Sequence, residues 1–456
     1  MDLSKYTPSI INTLQELIRI KTVQDTPVEG GPFGIGNKIC LERTLQICEE
    51  LGFKVTNLDG YCGYAEIGEG EELVGIIGHL DVVPEGEGWK YPAYCGDIID
   101  GELWGRGAWD DKGPVVISIY AIKALMDSGF KFNKRVRLIF GCNEESGSRC
   151  MEHYLKVDEP ISYGVSPDAN FPVIFAEKTI NNVEIKGTST QEGTVLLKHL
   201  DAGIVINSVP DKAKFTLTYA CENCRNRVVD TLDTYFKENN IKYIFKDKDN
   251  ELEYEVYGKA SHGSMPECGV NAASYAITGL SKVINNSFTK FYSEVINTCV
   301  HGEKLGCYAC DEYGPIAVNI GLVHYENNEF SIKINSRLPF NTNSELMISQ
   351  INETVSKYEN VTATLLSSST GFKMDENSVM IQSLTNAYKE VTKDYDAKPI
   401  CIGGGTYARA FENFISYGLT MPGEKDMCHQ VDEFVKIDDL ILGSKIYAEA
   451  IYNLAK

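Results

Sequence analysis

Two adjacent carboxylates, Glu144 and Glu145, follow the apolar run Val136-Arg137-Leu138-Ile139-Phe140. Upstream, a second apolar run ends in His79-Leu80-Asp81, and the pair Asp110-Asp111 stands between Gly107 and Gly113. Imidazoles and carboxylates are the side chains that hold borderline and hard divalent cations. In an open α/β sheet, ligands bind outside the carboxyl ends of the strands, which would bring groups scattered over about seventy residues onto one rim. Adjacent carboxylates in such a place divide naturally: one ligates, the other moves protons.

The elements that must position these groups read as strands alternating with helices. Thr7 is expected as an N-cap with Pro8 at the first helical position, and Ile10, Ile11, Leu14, Leu17 and Ile18 recur at helical spacing. A second helix is expected over 38–51, stopping at Gly52. Strands follow near 54–58, 64–67 and 73–78, then a helix over 114–128, a strand over 136–142 and a short strand at 163–165. That alternation is the pattern of an α/β sandwich with its chemistry in the loops.

From about Thr179 to Phe372 the pattern becomes α+β. Strands are expected at 183–186, 214–220 and 252–257, helices near 223–239, 271–283 and 344–358, and a hairpin across Asn327-Asn328. The tail returns to α/β character, with a helix near 378–393, the run Gly403-Gly404-Gly405, a loop holding His429 and a helix over 437–454. Residues 179–372 therefore read as a domain inserted by two short hinges into a catalytic domain made of 1–178 and 373–456. Strands plus helices occur twice in the insert, which suggests two similar halves, although no residue-level repeat is visible.

Composition narrows the classes of function. A chain of 456 residues can form two or three domains, each with its own core. Its 43% apolar and 23% charged content is that of a soluble globular protein. No run approaches the ~18–20 apolar residues of a membrane span. The start Met1-Asp2-Leu3-Ser4-Lys5-Tyr6 lacks the basic opening and apolar run of a secretory signal, so the cytoplasm is expected. A net charge of −21 argues against nucleic acid, which needs clustered Lys and Arg. The fourteen cysteines then read as reduced thiols. Cys221-Glu-Asn-Cys224 and Cys307-Tyr-Ala-Cys310 could close a zinc site or form a disulfide. They lie too far apart for a zinc ribbon, and incidental thiols are the more economical reading.

Five segments carry a more specific signal. They are Gly78-His79-Leu80-Asp81-Val82-Val83-Pro84, Gly105-Arg106-Gly107-Ala108-Trp109-Asp110-Asp111-Lys112-Gly113, Asn143-Glu144-Glu145-Ser146-Gly147-Ser148, Ser166-Pro167-Asp168 and Met427-Cys428-His429-Gln430-Val431-Asp432-Glu433. In kind and order they resemble the metal-site motifs of the di-zinc aminoacylase and carboxypeptidase-G metallopeptidases. The resemblance runs from about residue 8 to the end, and the insert is most similar to that of PepV-type bacterial dipeptidases. It implies a zinc-peptidase-like α/β/α sandwich with an inserted α+β lid.

The resemblance also implies roles. Asp110 would bridge two Zn²⁺ ions, with Co²⁺ or Mn²⁺ as alternatives. His79 and Asp168 would complete one ion, Glu145 and His429 the other. The Asp81 carboxylate would fix the His79 tautomer, and Glu144 would be the general base. In the insert, Gly258-Lys259-Ala260-Ser261-His262-Gly263 resembles the family's lid histidine segment, so His262 would meet the oxyanion or the substrate carboxylate. Asn207 and Arg337 match further lid positions, and Arg suits a C-terminal carboxylate through its planar fork. Backbone N–H groups of Gly404 and Gly405 would face the same carboxylate.

Blander readings apply elsewhere. His153, His199, His301 and His324 read as surface or hydrogen-bonded residues. Asp111 reads as the N-cap of the following helix, and Arg337 has a structural ion pair as its rival role. The run Gly105-Arg-Gly-Ala-Trp-Asp is a poor nucleotide signature.

The expectation is a cytoplasmic di-zinc dipeptidase acting on short peptides with a free N-terminus. An N-acyl-amino-acid deacylase or carboxypeptidase of the same fold is the alternative, and a non-catalytic binding or scaffold protein is the rival from another class. Neither a nucleic acid nor a membrane is an expected partner. Shorter relatives dimerise through the inserted domain, with the lid histidine reaching the partner's site. Here an insert of roughly 190 residues, a domain in itself, could take the place of a partner, so a monomer is expected.

Overall fold

The computed structural model describes residues 3–425 and 427–456. Met1 and Asp2, which open the expected catalytic domain, lie outside the described residues, as does Asp426. The chain divides into two compact units. The first holds the residues up to Ala176 with Lys373–Ile402 and Thr406–Lys456; the second holds Glu177–Phe372 with Gly403–Gly405. The glycine run, read from sequence as part of the tail, thus clusters with the inserted segment.

In the first unit the apolar runs form a parallel core. Arg135–Gly141, Leu73–His79, Tyr163–Ser166 and Phe414–Ser416 lie side by side and parallel. Cys62–Ile67 and Lys54–Leu58 extend the sheet antiparallel on one side, and Ile174–Glu177 continues it on the other. Leu73–His79 is buried at every position, as a strand covered on both faces must be. Helix Lys112–Asp127 packs on this strand, with Thr7–Ile18 and Ile437–Ala455 against that helix, while Ile35–Glu50 and Arg149–Val157 pack on Cys62–Ile67. The unit is an α/β/α sandwich.

Local chemistry sets the helix ends. Thr7 lies in the first turn of helix Thr7–Ile18 instead of capping it, because a 3₁₀ turn, Ser4–Tyr6, leads in with near-helical backbone. Of the expected stripe, Ile10, Leu14, Leu17 and Ile18 are fully buried and Ile11 is only half-buried, each fully buried side chain contributing about 1.5–3 kcal/mol by leaving water. At the other end, Lys112 Nζ donates to the carbonyls of Leu17, in the last turn, and Ile20, just beyond the helix, both at 2.9 Å, so this buried ammonium finds backbone acceptors at the helix terminus.

The second unit is built on one antiparallel eight-stranded sheet. From one edge its order is Lys242–Lys248, Glu251–Tyr257, Lys212–Tyr219, Val195–Ala202, Ala317–Glu326, Glu329–Leu338, Thr179–Thr188 and Val361–Ser369. The two quartets meet at the Val195–Ala202/Ala317–Glu326 pair and repeat one plan. Counting outward, each has two successive strands, then a helix (Glu222–Glu238 or Ser344–Val355) leading to the outermost strand, with a last strand inserted between. In the second quartet that last strand, Thr179–Thr188, comes from the start of the insert. The halves are alike but permuted in sequence. Asn327 and Asn328 form the expected hairpin with φ of 50° and 64°, the left-handed pair that a two-residue turn of this kind requires.

One thiol expectation is corrected. Cys221 and Cys224 form a disulfide, because Cys221 is the N-cap of helix Glu222–Glu238 and the first turn brings the two Cα atoms to 5.2 Å, within bridging range. Cys307 is buried, Cys310 is exposed, and neither is in a disulfide. Among the described residues no helix is long and apolar enough to cross a membrane.

Candidate active site

Three parallel strands deliver their acids to one edge of the first unit. Leu73–His79 ends on His79, which pairs in register with Gly141; Glu144 and Glu145 follow three residues later, and Asp168 follows Tyr163–Ser166. Gly78 is required here, since a Cβ would stand 2.5 Å from Val115 and 2.6 Å from Asp111 Oδ2. Asp111 occupies the cap position of helix Lys112–Asp127 but makes no side-chain cap bond. It accepts the His79 backbone N–H instead, at 3.0 Å. Asp111 thus stands at the expected N-cap position, but its side-chain partner is the strand end rather than the helix.

Asp110 is the centre of the cluster. Its Oδ1 lies 3.0 Å from His79 Nε2 and its Oδ2 lies 3.4 Å from His429 Nε2. His79 Nε2 also stands 3.7 Å from Asp168 Oδ2, and His429 Nε2 stands 2.9 Å from Glu145 Oε2. One carboxylate thus presents opposite oxygens to two groups of donors. His79 Nε2 and Asp110 Oδ1 are buried and have no hydrogen bond of acceptable geometry despite their separation. Buried polar atoms left in that condition are costly, and a cation between them would satisfy both. The donor set is imidazole and carboxylate, which suits Zn²⁺.

Asp81 acts differently from expectation. His79 Nδ1 meets the Asp81 backbone carbonyl at 2.9 Å, while the nearer carboxylate oxygen is 3.7 Å away. That carboxylate is engaged by the backbone N–H groups of Glu144 and Glu145, at 3.0 and 3.1 Å to its two oxygens. The tautomer is therefore set by a carbonyl, and the Asp81 side chain orients the paired glutamates. Two hydrogen bonds at the tip of a tight loop outcompete a side-chain reach back to its neighbour.

Glu433 closes the last of the five motifs, and the resemblance gives it no role. Its fully buried carboxylate accepts from Gly107 N–H at 3.0 Å, Trp109 N–H at 2.9 Å and Asp110 N–H at 3.2 Å on one oxygen, and from Arg106 Nη1 at 2.7 Å on the other. A three-stranded sheet, Phe434–Lys436 with Glu102–Trp104 and Asp97–Ile99, brings the tail to this loop. Nothing in the charged stretch Asp432-Glu433-Phe434-Val435-Lys436 marks Glu433 as buried, because its partners lie more than three hundred residues away.

The electrostatics follow from crowding. Burial disfavours the charged form of His79, but Asp110 and Asp168 outweigh it and hold the imidazolium well above its usual range. Glu145 raises His429 to about 9 against burial. Burial, reinforced by Asp168, Glu145 and Asp110 and opposed by His79, pushes Glu144 up to about 8. Glu144 itself belongs to neither group of metal-capable side chains found among the described residues, whereas Glu145 does.

The remaining expected residues gather within the second unit. The Gly263 N–H donates to the Asn207 carbonyl at 2.7 Å, and Ser208 bridges to His262. His262 is exposed; its Nδ1 accepts from the Ser264 N–H at 3.3 Å and lies 2.6 Å from the Ser264 hydroxyl. A neutral His262 thereby carries its proton on Nε2. Arg337 is buried in strand Glu329–Leu338, and a Cβ on Gly403, ahead of Gly404 and Gly405, would stand 2.9 Å from Ser264 and 3.5 Å from Arg337.

Comparison with known proteins agrees with this architecture. Residues 75–453 match the family described as Peptidase family M20/M25/M40. The chain is 33% identical over 460 residues to a Bacillus subtilis (strain 168) protein named "Putative dipeptidase YtjP", covering 98% of this chain and 97% of that one. In structure it resembles human carnosine dipeptidase 1, with a TM-score of 0.59 at 16% identity over 99% of this chain and 97% of the other. It also resembles the di-peptidase Dug1p of Saccharomyces cerevisiae, with a TM-score of 0.56 at 15% identity over 99% and 97% of the two chains.

Proposed function

This chain belongs to peptidase family M20/M25/M40 and is a metal-dependent hydrolase of peptide bonds, and from that premise we propose that it is a di-zinc dipeptidase acting on short peptides with a free N-terminus. The carrying observation is Asp110, whose two oxygens face His79 on one side and His429 on the other. His79, Asp110 and Asp168 would hold one Zn²⁺; Asp110, Glu145 and His429 would hold the second. Bound there, the ions supply positive charge that acidifies the attacking water and polarises the scissile carbonyl.

The chain's own residues do the rest. Glu144 takes the proton from the attacking water and delivers it to the leaving amine. Asp81 holds the Glu144-Glu145 backbone so that one carboxylate would ligate while its neighbour is left for proton transfer. His262, with its proton on Nε2, donates to the developing oxyanion. Asn207, Arg337 and the N–H groups of Gly404 and Gly405 hold the substrate's C-terminus, which limits the length of peptide accepted.

The test is a panel of free dipeptides, tripeptides and N-acyl amino acids, with chelated protein reconstituted with Zn²⁺, Co²⁺ or Mn²⁺. Free dipeptides should turn over fastest and only with metal. Exclusive turnover of N-acyl amino acids would replace this reading with a deacylase. Metal binding without turnover of any substrate would make the chain a binding protein.

A further inference from the structure

The metal-site cluster contains a ligand that the donor set above does not use. Cys428 Sγ lies 3.0 Å from Asp110 Oδ2, the same oxygen that His429 Nε2 approaches at 3.4 Å. Thiol, carboxylate and imidazole atoms of Cys428, Asp110 and His429 all fall within 4.8 Å of one another. Cys428 is partly exposed and not disulfide-bonded.

A simple S–H donor bond to a carboxylate is the rival account. Elsewhere in the chain, thiols that donate to carbonyls stand farther off, Cys62 at 3.6 Å, Cys95 at 3.7 Å and Cys310 at 3.6 Å, while the Cys150 thiol lies 2.9 Å from the Tyr407 hydroxyl, so the short contact counts only together with the imidazole beside it. With bond lengths of roughly 2.3 Å to sulfur and 2.0–2.2 Å to nitrogen or oxygen, ligand atoms of one zinc ion lie about 3–4 Å apart. The Oδ2–Nε2 separation of 3.4 Å falls within that spacing, the Sγ–Oδ2 separation of 3.0 Å lies at its short end, and the Nε2–Glu145 Oε2 separation of 2.9 Å lies just under it. The buried His79 Nε2 and Asp110 Oδ1, neither with a hydrogen bond, mark the neighbouring position on the other oxygen of the same carboxylate as cation-binding.

We infer that Cys428 Sγ is a further ligand of the second metal ion, beside Asp110, Glu145 and His429. This rests on the two-metal reading of the site. On coordination the S–H proton passes to solvent and the sulfur donates a lone pair; no electron is transferred. A thiolate adds softness to a set of oxygen and nitrogen donors, so the second position should favour Zn²⁺, Co²⁺ and Cd²⁺ over Mn²⁺.

The experiment loads chelated protein with Co²⁺ alone and records its absorption spectrum. Wild-type protein should show a thiolate-to-cobalt charge-transfer band in the near ultraviolet. Cys428→Ser should lose it, and Cys268→Ser, at an exposed thiol in the second unit, should keep it. By calorimetry, Cys428→Ser should bind Cd²⁺ at the second position about tenfold or more weakly, with Mn²⁺ affinity changed by less than about threefold. Co²⁺ binding to wild-type protein without the band, or a band that survives in Cys428→Ser, overturns the assignment and leaves the two-metal reading standing. No Co²⁺ bound by wild-type protein overturns both. Absence of the band in wild-type protein overturns the assignment whether or not the variant folds, and Cys428→Ala serves as the second variant for its loss.

Discussion

The backbone N–H of Asp110 donates to Oε1 of Glu433 at 3.2 Å, tying the central acid of the site to a buried carboxylate 323 residues away. Arg106 neutralises the other Glu433 oxygen at 2.7 Å, and both side chains are nearly inaccessible, at 2% and 0%. Removing one member of a buried pair costs about 3–5 kcal/mol because its partner keeps an uncompensated charge. Glu433→Ala should therefore lower the unfolding free energy of chelated protein by that order in urea denaturation. It should also weaken metal binding, since the loop carrying Asp110 loses three acceptor contacts. Unchanged stability and affinity together would refute the link.

Glu144 sits beside a ligand without being assigned as one. Glu144→Ala should lower kcat by roughly 10²–10⁴-fold while two metal equivalents still bind. Loss of one equivalent would exchange the roles of Glu144 and Glu145.

Metal binding should release protons. In metal-free protein, His79 is held well above its ordinary 6.5 and His429 at about 9, so both imidazoles are protonated at pH 7, yet both must be neutral to ligate. Zn²⁺ titrations in two buffers of different ionisation enthalpy should reveal proton release at pH 7, with affinity rising as pH approaches 9. The same sign governs stability. The His429 pKa is raised on folding, so its contribution to the metal-free protein is present below pH 6.5 and lost as pH rises through 9. No proton release at pH 7 would remove the imidazoles as ligands.

Arg337→Ala should slow hydrolysis of free dipeptides by at least about tenfold more than that of their C-terminal amides, because only the former offer a carboxylate to a bidentate guanidinium. Equal losses would leave Arg337 with a purely structural role in its strand.

The two matched quartets of the second unit bear on assembly. If one half stands in for a partner's domain, His262 serves its own chain. Mixing Glu144→Ala with His262→Ala protein should then leave activity at the level of the separate variants, and wild-type protein should have a monomeric mass in solution. Regained activity on mixing would show that the histidine acts in trans.

The order and types of His79, Asp110, Glu144, Glu145, Asp168 and His429 were legible in the sequence because each lies in a short contiguous motif beside an apolar run, and both the α/β alternation and the Asn327-Asn328 hairpin follow from local periodicity and turn chemistry. Similarity of the insert's halves could be sensed but not proved, since the permuted strand Thr179–Thr188 breaks any linear repeat. Only the tertiary structure decided which Asp110 oxygen faces which imidazole, that Asp81 orients His79 by its carbonyl and the glutamates by its carboxylate, and that Glu433 anchors the loop. Those relationships join residues through backbone groups or across hundreds of positions. A side chain's type announces what it can bind, but its partner is chosen by packing, which brings distant donors and acceptors together and leaves them no water as an alternative.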